Sequence, residues 1–97
     1  MELTEASTLR EWWMLKITRV VNGEVVLNLS GRMDAENVGE VETLLSGEAA
    51  YRIIVLDLKD LRLVDQDVVS FLRRCESGGI HLMNCPAYIR EWLNGAR

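Results

Sequence analysis

The chain has 97 residues, 48% of them hydrophobic and 27% charged, with a formal net charge of -4 and a pI near 4.9. That length accommodates one compact core and excludes two of ordinary size, and the composition is that of a folding globular chain and not of a disordered one. The acidic balance argues against nucleic acid as a partner, because backbone binders concentrate Lys and Arg and gain affinity by releasing counterions.

Residues 1–13 carry Glu2, Glu5 and Glu11 and hold no continuous apolar run, so they match neither a secretory signal nor a membrane span of about 20 apolar residues. The expectation is an N-terminal extension over 1–13, a domain over 14–97, no membrane insertion and a cytoplasmic location. From Met14 the sequence MLKITRVV alternates in part, Asn22-Gly23 follows, and EVVLNLS then places Val25, Leu27 and Leu29 on one face. Asn-Gly between two β-rich runs predicts a hairpin with a type I′ turn, whose two central residues have positive φ. Gly31 is expected to end the second strand.

Asp34 caps a predicted helix in which Val38, Val41, Leu44 and Leu45 recur at three- and four-residue spacing. Ser46-Gly47 stops it, Gly47 suiting the left-handed position that follows a last turn. YRIIVLDL, Tyr51 to Leu58, has the unbroken apolar run of a strand covered on both faces, and predicts the centre of the sheet. A short apolar piece from Leu61 to Val64 leads to Asp65, an expected N-cap, after which Val68, Val69, Phe71, Leu72 and Cys75 form a helical stripe ending at Gly78-Gly79. Ile80 to Met83 is the next strand. Pro86, at the favoured first position, opens a last helix with Ile89, Trp92 and Leu93, and Gly95 closes it. Hairpin, helix, strand, helix, strand, helix implies an α/β domain with a mixed, mostly parallel sheet joined by right-handed crossovers.

Candidate chemistry is sparse. Cys75 and Cys85 are too few to staple a chain with an ample core, which predicts free thiols. His81 and Cys85 are four apart, but a strand and a break separate them, so a metal site there is disfavoured. Ser30 and Ser70 lie in no glycine-flanked elbow of the kind that presents a nucleophile. Gly78-Gly79 lacks the following Lys and the further glycines of a phosphate-binding loop. Asp57, Asp60, Asp65 and Asp67 fall where α/β proteins hold Mg²⁺ or phosphoryl groups, at the C-terminal ends of parallel strands, so a Mg-dependent phosphotransfer enzyme is an alternative reading. Turn and cap roles account for the same carboxylates. Trp12-Trp13 and Trp92 either close the ends of the core or mark a surface for a partner or a second copy.

Leu29-Ser30-Gly31-Arg32-Met33-Asp34 resembles the L-x-G-x-[LM]-D that opens the first helix of STAS domains, the fold shared by anti-sigma-factor antagonists and the cytoplasmic tails of sulfate transporters. Val55-Leu56-Asp57-Leu58 is similar to that family's central strand, Leu61 to Asp65 to the segment entering its regulatory loop, and Asn84-Cys85-Pro86 with Ile89 and Leu93 to its last strand-to-helix step. The resemblance runs from about Leu15 to Leu93. It implies a STAS-like fold, no cofactor, no metal and no catalysis.

Typical antagonists read Asp-Ser-Ser/Thr-Gly at the start of the second helix and are phosphorylated there by a partner kinase; this chain reads Asp65-Gln66-Asp67-Val68. By the resemblance Gln66 stands at the phosphorylated position and has no hydroxyl, and Val68 stands where a small Gly lets a partner approach the backbone. Asp65 and Asp67 either stabilise the helix start, by about 0.3–1 kcal/mol each, or also present a fixed charge in partial place of a phosphate. The contact surface implied by the resemblance is Arg32, Met33, Asp34, Asp65, Gln66, Asp67 and Ser70. Its partner would be an anti-sigma factor of the kinase-like ATPase type, or a larger signalling or transport assembly. A scaffold or homodimer built through Trp12-Trp13 is the remaining reading.

Overall fold

The structure, a computed structural model, describes residues 14–95; the 1–13 extension and its Trp12-Trp13 pair lie outside the described residues. Five strands and three helices follow in the order β1 (Leu15–Asn22), β2 (Glu24–Met33), α1 (Ala35–Ser46), β3 (Ile54–Asp57), β4 (Leu61–Val64), α2 (Gln66–Ser77), β5 (His81–Met83) and α3 (Ala87–Gly95). The result is a small α/β domain with one mixed sheet.

The hairpin forms, with a different turn. Val21 faces Val25 and only Gly23 has positive φ, +82°, so the connection is not the two-residue type I′ turn that Asn22-Gly23 suggests. This register carries a consequence for the whole strand, since a slip of one residue would exchange the faces of β1. As built, Leu15 and Ile17 pack against the core opposite Gly31 and Leu29.

The second strand does not stop at Gly31. Gly31 has φ +90° and takes the chain through a bulge, after which Arg32 and Met33 pair with Leu63 and Val64 of β4. The short apolar piece from Leu61 is therefore a strand of its own, parallel to β2. β2 is the hub, pairing with β1, β3 and β4, and β3 is interior as well, between β2 and β5, with Val55, Leu56 and Asp57 buried on both of its faces. Only Ile54–Asp57 of that run is strand, and Tyr51 and Ile53 are exposed.

The parallel steps from β2 to β3 and from β4 to β5 both move across the sheet in the same direction. Right-handed crossovers then place α1 and α2 on the same face. α3 joins them there: Ile89 and Leu93 are buried in one cluster with Val68, Leu72, Leu27 and Leu56. That cluster supplies most of the stability, each fully buried aliphatic side chain contributing about 1.5–3 kcal/mol relative to exposure.

Helix details follow from local chemistry with two departures. Gly47 ends α1 with φ −80°, so it is right-handed and not the left-handed terminator expected. The predicted stripe on α1 is also thin: Val41 is buried, Val38 and Leu45 are partly so, and Leu44 is exposed. On α2 every predicted stripe residue is buried, and Gly79 beyond it takes φ +99°. The carbonyl of Pro86 accepts from Ile89 and Arg90, which sets Pro86 just ahead of α3, while Trp92 remains half-exposed. A bidentate pair from Arg19 to Glu48, at 2.8 and 2.9 Å, ties the hairpin to the segment after α1. Among the described residues no helix is long and apolar enough to cross a membrane.

Candidate functional site

Two helix N-termini meet at one end of the sheet. At α1, Asp34 accepts from the N–H of Glu36, and the side-chain oxygen of Asn37 accepts in return from the N–H of Asp34, both at 3.0 Å. This exchange satisfies two groups that would otherwise lack partners at a helix start. At α2, Asp65 Oδ1 accepts from the N–H of Val68 at 3.0 Å, as an N-cap should.

The other oxygen of Asp65 does something the sequence does not announce. Oδ2 accepts from the backbone N–H of Ala35, the first residue of α1, also at 3.0 Å. One carboxylate thus closes both helix starts and pins them together, with each macrodipole favouring its charge. The strand pairing of Arg32 and Met33 with Leu63 and Val64 brings the two caps to this distance. Two Asp residues following two strands was the available signal; only the pairing of β2 with β4 shows that they share a partner.

This geometry sorts the expected contact residues. Arg32, Gln66 and Asp67 are exposed, Asp34, Asp65 and Ser70 are partly buried, and Met33 is 1% exposed and packed in the core. Met33 therefore offers no side-chain surface, and Asp65 has both oxygens occupied by backbone donors. Arg32 stands 3.9 Å from Asp34 in a solvent-exposed pair, a geometry that contributes little to stability. Leu63, half-exposed and paired across from Arg32, adds an apolar neighbour that sequence reasoning did not single out. Among the described residues the resulting surface is mixed: the Arg32 guanidinium, the Asp67 carboxylate, the Gln66 amide and Leu63, on a frame of two capped helices.

The remaining acidic residues serve the turn between β3 and β4. Asp57 is buried, and its Oδ1 accepts from the N–H of Lys59 at 3.1 Å and from Asn84 Nδ2 at 3.2 Å. Asn84 reaches it from a left-handed backbone, φ +56°. Asp60 is exposed, and its carbonyl accepts from Gly31 at 3.0 Å, which supports the bulge. Among the described residues no three His, Cys, Asp or Glu side chains are grouped as metal ligands, so Asp57, Asp60, Asp65 and Asp67 are not brought together as a cation cage.

Cys75 and Cys85 are free thiols, and burial pushes Cys75 up to about 11 and Cys85 upward. Neither is a ready thiolate nucleophile. His81 is exposed on β5, and Ser77 is exposed at the end of α2. A shallow groove between α1 and α2, lined by Glu42, Leu45, Ser46, Phe71, Arg74 and Cys75, lies toward the opposite helix ends and is crossed by a Glu42–Arg74 pair at 3.3 Å. No model of a known protein family and no curated protein sequence matches the chain.

Proposed function

We propose that the chain is a STAS-like module that acts by binding another protein, without catalysis of its own and without a phosphorylation switch at the start of α2. One observation carries the reading: Asp65 holds the starts of α1 and α2 together, so Arg32, Leu63, Gln66 and Asp67 are presented on a rigid frame. A preordered surface of this kind loses little conformational entropy on binding. Neither Gln66 nor Asp67 has a hydroxyl, so neither side chain accepts a phosphate at the start of α2. The mixed polar and apolar character fits a reversible protein contact.

The partner that fits the family resemblance is an ATPase of the anti-sigma-factor class; a larger signalling or transport assembly that uses a STAS subunit is the alternative. The test is capture of such an ATPase from the same genome by the immobilised chain. Asp67→Lys reverses the free charge without touching a capping bond, and is expected to lower capture at least tenfold with an unchanged urea midpoint. Undiminished capture by that variant overturns the reading. With ATP present the mass of the wild-type chain is expected to stay constant, and a gain of one phosphate on the Gln66–Ser70 stretch overturns the absence of a switch.

A further inference from the structure

Ile89 and Leu93 are buried and seat α3 on the core, which leaves the two aromatic residues of the helix with no such task. Tyr88 and Trp92 are four residues apart, hence neighbours on one side of α3, and are 45% and 41% exposed. Tyr88 is fixed there: its hydroxyl donates to the carbonyl of Arg62 at 2.6 Å, with that of Leu61 at 3.3 Å. The polar end of the phenol is thereby occupied, and its ring is held at the surface.

Each aromatic residue also has an arginine beside it. Arg62 is exposed on β4 next to the Tyr88 hydroxyl, and Arg73 of α2 reaches the carbonyls of Trp92 and Leu93 at 3.5 and 3.4 Å. Arg19, Arg32, Arg74 and Arg90 each face a carboxylate, whereas neither Arg62 nor Arg73 is in an ion pair among the described residues. Against these two guanidinium groups α3 itself sets one carboxylate, Glu91.

We infer that this side of α3 docks an amphipathic helix of a partner protein, one whose apolar ridge is flanked by Asp or Glu. Trp, Tyr and Arg are the residue types that carry most of the energy of protein contacts, and a ring already fixed loses little side-chain entropy on binding. Charge decides among the occupants. A second copy seated by twofold symmetry would gather both copies of Arg62 and Arg73 into one contact, like charge with like. An anionic membrane is recognised by roughly four to eight clustered basic residues, more than the Arg62 and Arg73 found beside these rings. An acidic helix covers both rings and neutralises both arginines. The contact does not involve Asp67, so it stands or falls independently of the one proposed at the start of α2.

Two peptides of about 18 residues, long enough to hold a helix, test this. One carries leucines at three- and four-residue spacing with glutamates between them, and the other has lysines in place of the glutamates. Titrated into the full-length chain, the glutamate peptide is expected to bind with amide shifts centred on α3, Arg62 and Arg73, and the lysine peptide to bind about tenfold more weakly. Trp92→Ala is expected to lower affinity for the glutamate peptide by about tenfold. Arg62→Glu, at an exposed residue away from the core, is expected to abolish the preference for glutamate with an unchanged urea midpoint. No binding of the glutamate peptide at about 1 mM, equal binding of the two peptides, or a preference that Arg62→Glu leaves intact overturns the inference. A doubled mass by light scattering that Trp92→Ala abolishes assigns the surface to a second copy, and co-sedimentation with phosphatidylserine vesicles that the same variant abolishes assigns it to a membrane; either result overturns it equally.

Discussion

Val26 and Leu27 are adjacent on β2, both aliphatic, and their surroundings differ sharply. Leu27 is at 0% exposure beneath α1 and α2, whereas Val26 looks onto the face that no described helix covers. Strand alternation sends neighbours to opposite faces, and the shared direction of the two crossovers puts all the helices on one of them. Hydrophobicity alone does not decide where a side chain contributes; the handedness of the connections does. The two faces should therefore respond to substitution on different scales.

The widest separation is expected between Leu27→Ala and Val20→Ala. Truncating Leu27 removes a fully buried side chain and leaves a cavity, with an expected loss of about 2–5 kcal/mol in urea denaturation. Val20→Ala, at a half-exposed position on the other face, is expected to stay within about 0.5 kcal/mol. Equal effects at the two sites would break it.

Next in size is the double cap. Asp65→Ala releases the N–H of Val68 and of Ala35 together and is expected to cost about 2 kcal/mol or more, against about 1 kcal/mol for Asp34→Ala, which leaves the second helix start untouched. Thermal or urea midpoints measure both. Equal losses would mean that the bridge to Ala35 contributes nothing.

Smaller and pH-dependent is the thiol of Cys75, on the helical side. Burial raises it from the ordinary 9.0 to about 11, so the folded state favours the neutral thiol. A raised acid of this kind contributes its stability in full below pH 9 and loses it as pH climbs through 9 toward 11, by at most ~1.4 kcal/mol for each pH unit. Cys75→Ala is expected to flatten that alkaline slope. The smallest response belongs to the surface: Arg19 holds the Glu48 carboxyl below its usual range, so that pair weakens as pH falls through the lowered value, and added salt is expected to erase the effect.

Legibility in the sequence followed how local each determinant was. All of α2 was legible, from the Asp65 cap through Val68, Val69, Phe71, Leu72 and Cys75 to Gly78, because capping and 3.6-residue periodicity act within a few turns. The three-residue turn at Gly23, the passage of β2 through Gly31 and the strand at Leu61–Val64 were not, since each is held by hydrogen bonds to a partner strand that periodicity does not name. At the candidate site, Gln66 and Asp67 could be placed on a helix start, but the burial of Met33 depended on the bulge at Gly31 and its pairing with β4.

The sequence by itself determined the α/β order, the two Asp caps, the apolar stripe of α2 and the lack of a hydroxyl at Gln66 and Asp67. Only the tertiary structure decided that β2 is the hub, that both faces of one strand meet different surroundings, and that a single carboxylate on Asp65 joins two helices. The reason is range: side-chain period and helix capping are settled within about four residues, whereas crossover handedness and strand pairing place residues 30 positions apart, such as Ala35 and Asp65, within one hydrogen bond.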